Sequence, residues 1–317
     1  MKNHNWRILA WGGIGDVLLL TPALKSIKTA CSHSRITVYC LRREHMEVLK
    51  NNPDIDALKW GSVFRRALYH LGLLRVSPIN YGDLRPSLCY EKTASEIIAE
   101  MLGVTLSDKQ PRIYLSASEE ERARTRLAQL GRPVAIHPKA GFTENKDWPM
   151  EMWEQLVAAN KQYDFFQVGP QTEQLVRGVV DMRGLSLRES FALIKYADGF
   201  VGIDSCLAHA ATAVGTPAVV MFGPSTPILW GHSSNVNIYK RFRCSPCADM
   251  LGNVPCPYGR PCMKTISAEE VGEALHRHFS QQRGPSRLEI SLSTNRSCVE
   301  SRLQHPTPVS WLSEIRD

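Results

Sequence analysis

Gly202-Ile-Asp-Ser-Cys-Leu-Ala-His-Ala-Ala-Thr-Ala-Val-Gly-Thr-Pro-Ala-Val-Val-Met-Phe-Gly-Pro224 is the stretch that decides the fold. It reads as a strand, a polar turn, a short helix from about Cys206 to Val214, a Gly-Thr-Pro turn and a second strand ending at Gly223. Asp204 and Ser205 are residue types that cap helix N-termini. The first turn of such a helix carries unpaired N–H groups and a partial positive charge, which suits an anion. His209 lies one turn in. A carboxylate, a hydroxyl and an imidazole therefore converge where a phosphate can dock. The place is the carboxyl end of a strand, the edge at which open α/β sheets bind ligands.

The same alternation extends in both directions. Trp6 to Trp11 reads as a strand, Gly12-Gly-Ile-Gly-Asp16 as a turn, and Val17 to Ala30 as an apolar helix with Pro22 near its first turn, where proline is tolerated. Strands follow at Arg35–Leu41 and Ile55–Trp60, then a helix at Glu91–Leu102 and a short strand at Pro111–Leu115. A capping box, Ser118-Glu-Glu-Glu121, opens a helix to about Leu130. Residues 61–90 mix Arg, Gly, Pro and Tyr without a period. After Gly131-Arg-Pro133 a second series begins. It has strands at Val134–His137, Asp164–Gly169, Val179–Arg183, Phe200–Ile203 and Ala218–Phe222. Helices are expected at Pro149–Lys161, Ser186–Ala197 and Ser267–Phe279. Strands alternating with helices in both halves predict an α/β fold with parallel sheets. The expected domains are 1–130 and 131–280, followed by a loosely ordered Ser/Arg/Gln/Pro tail at 281–317.

Composition narrows the function classes. With 317 residues, 43% hydrophobic and 22% charged, the chain reads as a soluble globular protein of more than one core. No apolar run reaches the length of a membrane span. The N-terminus goes straight into a strand, so no signal peptide is expected. The formal charge of +7 suits an acidic partner such as a nucleotide, a phosphorylated sugar or an anionic lipid surface; it also serves solubility alone. Nucleic acid is not expected, because Lys and Arg are dispersed and no recognition-helix or RNP-like pattern occurs. Nine cysteines, an odd number, argue for a reducing, cytoplasmic setting.

Three further segments carry candidate chemistry. Gly13 and Gly15 allow tight backbone approach, but the spacing of the turn is wrong for a dinucleotide fingerprint. Asp16 at the helix start serves either as a helix cap or as a general base at the mouth of a cleft. The loop from His137 to Pro149 carries Lys139 and Lys146 before a helix, either solvated or paired with phosphates. Cys244-x2-Cys247-x8-Cys256-x5-Cys262 suits a structural Zn or Fe ion, or stands as reduced thiols in a proline-stiffened loop. Cys31, Cys40 and Cys89 read as packing residues.

Together these segments resemble glycosyltransferase family 9, the ADP-heptose:lipopolysaccharide heptosyltransferase type. The likeness rests on Gly12–Leu24 with its Gly-Asp…Thr-Pro pattern and on Lys146-Asp-Trp-Pro149 with Trp153. It rests also on Asp204–His209 through Gly215-Thr-Pro217 and Phe222-Gly-Pro224, and on the segment Cys244–Ile266. The resemblance implies a GT-B architecture of two Rossmann-like domains facing across a cleft, the acceptor on the N-terminal one and the nucleotide sugar on the C-terminal one. It implies inverting transfer of a heptose-like sugar, ADP-heptose favoured, without a catalytic metal. The acceptor would be a lipopolysaccharide core, another glycan or a protein, with peripheral contact at the cytoplasmic face of the inner membrane. Asp16 would take the acceptor proton, and Lys146 would hold the diphosphate. Ser205 and its neighbouring N–H groups would bind phosphate, Asp204 and His209 would position the donor, and Glu173 would hold ribose or base. Gly13 and Gly15 would lie against the donor. One residue departs from the pattern, Cys206 in place of the usual glycine. Either the backbone there is ordinary helix or the donor geometry has shifted, and a non-catalytic nucleotide-sugar-binding homologue is the alternative reading.

Overall fold

Ile8, Leu9 and Ala10 are fully buried, and they anchor a strand that the rest of the first half is built around. A computed structural model describes residues 5–61, 75–77, 91–247 and 254–281. The first sheet runs β3–β2–β1–β4, all parallel, from β1 (Asn5–Ala10), β2 (Arg35–Cys40), β3 (Ala57–Trp60) and β4 (Arg75–Ser77). β1 pairs with β2 along its whole length, Asn5 opposite Arg35 to Ala10 opposite Cys40.

Helix α1 (Ile14–Ala30) starts earlier than its sequence suggests, so Pro22 lies in its interior rather than near its first turn. Proline offers no N–H to the carbonyl four residues back. The Thr21 hydroxyl replaces it, donating to Leu18 O at 2.6 Å. Helix α2 (Arg43–Leu49) follows β2. Helices α3 (Ala94–Leu102) and α4 (Ala117–Leu127) complete the first half. No strand forms at Pro111–Leu115. The α4 cap is Ser116 with Glu119, not Ser118 with Glu121. Both pairs fit the pattern, but Glu119 is also held by a buried arginine and so fixes the register.

The second sheet runs β10–β9–β8–β5–β6–β7, again all parallel. Its strands are β5 (Pro133–His137), β6 (Asp164–Gln167), β7 (Val180–Asp181), β8 (Gly199–Ile203), β9 (Ala218–Phe222) and β10 (Val236–Tyr239). The chain winds outward from β5 one way, then from β8 the other, so the strand order reverses between β5 and β8. β5, β8 and β9 are buried at every residue, as parallel strands covered on both faces must be. Helices α5 (Met150–Ala159), α6 (Leu187–Tyr196), α7 (Cys206–Val214) and α8 (Pro227–Trp230) lie between these strands in the chain, and α9 (Pro261–Lys264) and α10 (Ala268–Gln281) follow the last of them. The expected tail and Cys89 lie outside the described residues.

Residues 1–282 form one unit that holds both sheets. Arg188 on α6 ties them together. Its buried guanidinium bonds both Glu119 oxygens at 2.5 and 2.7 Å, Glu47 O at 2.7 Å and Tyr114 O at 2.8 Å. Arg188 holds the Glu119 carboxyl down at about 2.

Candidate active site

In doubly wound sheets the crevice opens where the strand order reverses, at the carboxyl ends of the strands. β5 ends at His137 and β8 leads into Asp204 and Ser205, on either side of that reversal. A cleft of about 710 Å³ lies there, and its opposite wall is the turn that leaves β1. Gly12, Gly13, Gly15 and Asp16 form that turn, backed by Trp11, Arg42 and His45.

Asp16 is buried, and its carboxylate accepts the Gly13 N–H at 2.6 Å. The cap role and the cleft position therefore coexist in one residue. Gly12 has φ +88°, and a Cβ there would fall 2.4 Å from Asp16 Oδ2, so only glycine lets the carboxylate fold back over the turn. Gly15 faces the other wall: a Cβ there would stand 3.1 Å from His209 Cδ2. That close approach brings α1 against α7. His45 donates its Nε2–H to Gly12 O at 3.1 Å and braces the turn from below.

The second wall is built from paired polar groups. Lys146 Nζ lies 2.7 Å from Asp204 Oδ2, both on the cleft. Burial works to raise the Asp204 pKa, but the charge and hydrogen bond of Lys146, with smaller help from His209 and Ser225, together outweigh it and hold the carboxyl below its ordinary range. Lys139 is off the cleft, bonded to Asp147 Oδ2 at 2.5 Å. Of the two loop lysines, Lys146 is the one available to a ligand. His209 Nδ1 meets His232 Nε2 at 2.9 Å. Burial keeps both rings neutral, pulling them down to about 4 and about 3.

Ser205 is the N-cap of α7, but its hydroxyl makes no cap bond. It lies 3.0 Å from His137 Nδ1 instead. Cys206 takes the first position of α7 with an ordinary helical backbone, and its thiol, pushed up to about 11 by burial, stays neutral. Glu173 does not line the cleft. It sits behind it, 3.4 Å from His137 Nε2.

Sequence reasoning therefore located Gly13, Gly15, Asp16, Lys146, Asp204, Ser205 and His209 on one cleft. It assigned no role to His137, Arg42, His45, Phe142 or His232. For His137 a signal was present, a polar residue closing an apolar strand at the ligand-binding edge. His232 follows a short helix in a loop and gave no such signal.

The structural metal expected at the cysteines is not shown. Among the described residues, no three or more His, Cys, Asp or Glu side chains are arranged to hold an ion. Cys247 N–H bonds Pro224 O at 2.6 Å, Cys256 N–H bonds Asn145 Oδ1 at 2.9 Å, and Cys262 is buried at the start of α9. Burial pushes the Cys262 thiol up to about 11. Asn145 also donates to Val254 O at 2.8 Å, so the cysteine segment clasps the turn that carries Lys146.

The model of glycosyltransferase family 9 (heptosyltransferase) matches residues 92–256. Lipopolysaccharide heptosyltransferase 3 of Escherichia coli is 25% identical over 287 residues, covering 70% of this chain and 84% of that protein. A family 9 glycosyl transferase from Veillonella parvula DSM 2008 superposes with TM-score 0.69 at 17% identity, over 89% of this chain and 99% of that one. The ADP-heptose lps heptosyltransferase II of E. coli gives TM-score 0.67 at 15% identity, over 88% and 99%. The α/β GT-B architecture is borne out by these neighbours.

Proposed function

The chain belongs to glycosyltransferase family 9, the heptosyltransferase family, and from that premise we propose the reaction it performs. A heptose-like sugar passes from a nucleotide diphosphate sugar, ADP-heptose in the favoured case, to a lipopolysaccharide-core acceptor, with inversion and without a catalytic metal. Residues 131–280 hold the donor and residues 1–130 the acceptor. The work is cytoplasmic, at the inner face of the membrane that carries such acceptors.

The observation that carries this reading is the pairing of Asp16 on one wall with Lys146, Ser205 and His209 on the other. Asp16 accepts the proton of the attacking hydroxyl as the sugar bond forms. Lys146 swings from Asp204 toward the diphosphate and offsets charge as the nucleotide leaves. Ser205 and the first N–H groups of α7 receive a phosphate. Asp204 and His209 orient the donor, with Gly13 and Gly15 against it; Glu173, set behind the cleft against His137, does not reach the ribose. The four cysteines have no part in the chemistry; a structural metal there is a separate proposal, checked by elemental analysis of the purified protein.

A thermal-shift panel of ADP, UDP, GDP and CDP tests the reading. Ligand at a hundred times Kd stabilises by about 2.7 kcal/mol. A selective rise with ADP supports an ADP-sugar donor, whereas no rise with any of the four counts against a nucleotide-sugar site; sugar transfer, not binding, separates the enzyme from the non-catalytic nucleotide-sugar-binding homologue.

A further inference from the structure

His137 has a use that the transfer chemistry leaves unfilled. It closes β5 at the reversal of strand order and is 5% exposed. Its two ring nitrogens meet Ser205, assigned above to the phosphates, and Glu173 behind the cleft: Nδ1 is 3.0 Å from Ser205 Oγ, and Nε2 is 3.4 Å from Glu173 Oε1. A carboxylate only accepts, so the tautomer with its hydrogen on Nε2 is the one that suits Glu173, a charge contact at 3.4 Å rather than a formed hydrogen bond. In a neutral ring Nδ1 is then an acceptor, and the Ser205 hydroxyl must donate to it. Ser205 thus has its one hydrogen turned away from the cleft and shows lone pairs to it. That orientation repels phosphate oxygens, which also only accept.

We propose that binding of a nucleoside diphosphate group in this cleft is coupled to uptake of one proton by His137. The inference rests on reading Ser205 as a phosphate ligand. The proton comes from solvent and is added at Nδ1, and no bond of the ligand changes. The imidazolium then donates Nδ1–H to Ser205 Oγ and Nε2–H to Glu173, and the serine hydroxyl rotates its hydrogen onto a phosphate oxygen. Charge-assisted bonds are the stronger kind, so both contacts tighten. Glu173 is prepared for this, because its Oε2 is buried with no hydrogen-bond partner.

The surrounding groups leave His137 as the one to respond. Arg183 stands beyond Glu173 and keeps its charge. Lys146 and Asp204 neutralise each other. The Cys206 thiol is held neutral by burial, and His209 is bonded to His232 and held neutral in the same way. Across the cleft, Asp16 is engaged by Gly13, and burial disfavours a charge on His45. His137 is therefore a positioning residue, acting on the ligand through Ser205.

The test is calorimetry of ADP-glucose binding in buffers of different ionisation enthalpy, at mildly alkaline pH. ADP-glucose is chosen because its diphosphate is esterified at both ends, whereas a terminal phosphate itself titrates near pH 6 (about 6). The expected result is about one proton taken up per ligand, with affinity falling by up to about tenfold per pH unit as pH rises. His137→Gln keeps a donor toward Glu173, and His137→Asn keeps a group toward Ser205. Neither can charge, so both take up no proton and lose the pH slope. Binding by the native protein with no proton uptake, or equal uptake in either variant, overturns the proposal; equal uptake would move the proton to His209. If both variants fail to fold, the slope of the native protein decides alone. Failure of the native protein to bind ADP-glucose at any pH counts against the donor reading itself.

Discussion

The two walls of the cleft are built on different plans. The wall from the second half is dense with paired polar groups, Lys146 with Asp204, His209 with His232, and His137 with Ser205. The wall from the first half is a glycine turn with one carboxylate, Asp16, held by a backbone N–H. The first plan fixes charges in advance of a charged ligand, so little reorganisation is left for the moment of binding. The second is a backbone turn that, on the proposed reading, lies close to the reacting centre and leaves room for a saccharide. On the same proposed reading, recognition and proton removal are divided between the halves. Prominent among the contacts that join them, beside a shared apolar core and the bonds of Lys195 and Tyr196 to Glu120, is Arg188, which reaches from the second half to Glu119, Tyr114 and Glu47 of the first.

The comparison breaks most easily at that joint. Arg188→Ala leaves a buried Glu119 charge without its partner, and stability should fall by about 3–5 kcal/mol, read from urea unfolding. The loss should vanish into a much smaller one if Glu119 is replaced by Gln in the same chain. If Arg188→Ala melts like the native protein, the halves are held by something else.

Acid should act next, and mainly on the dense wall. His209 and His232 are pulled to about 4 and about 3 by burial, from an ordinary 6.5. Unfolded histidines take up protons below 6.5 while the folded pair stays neutral, so the unfolded state binds more protons there. Stability is therefore full above pH 6.5 and falls as pH drops toward about 4. His45 and His278, also lowered by burial, act in the same direction. Melting curves across this window check it, and His232→Asn should flatten the slope. Glu119 contributes separately: its stabilisation is present above the ordinary 4.5 and fades as pH falls toward about 2.

The smallest effect concerns Cys206. An ordinary helical backbone there means that Cys206→Gly restores the usual residue of the family pattern at a cost of only about 0.5–1 kcal/mol in helix stability. Nucleotide affinity measured in that variant should stay within a few-fold of native. A large gain would mean that the thiol obstructs the donor.

Much of the dense wall was legible in sequence because its strands are short apolar runs bounded by Gly and Pro, and its polar residues stand at their carboxyl ends. The first half was harder. Helix α2, Arg43-Glu-His-Met-Glu-Val-Leu49, mixes charge with apolar residues and gave no clean period, yet it delivers His45 to the turn. Strand β4 pairs with β1 over only three residues and has no pattern of its own. The pairing of His137 with Ser205, 68 positions apart, and of His209 with His232 depends on tertiary packing, which spacing along the chain does not encode.

The division of labour is tested most directly by scoring Asp16→Asn and Lys146→Gln side by side for sugar transfer and for ADP affinity. Asp16→Asn should lose transfer by about 10²–10⁴-fold while binding ADP as the native protein does. Lys146→Gln should lose both. Native transfer by Asp16→Asn, or loss of ADP binding in that variant equal to the loss in Lys146→Gln, would contradict the account.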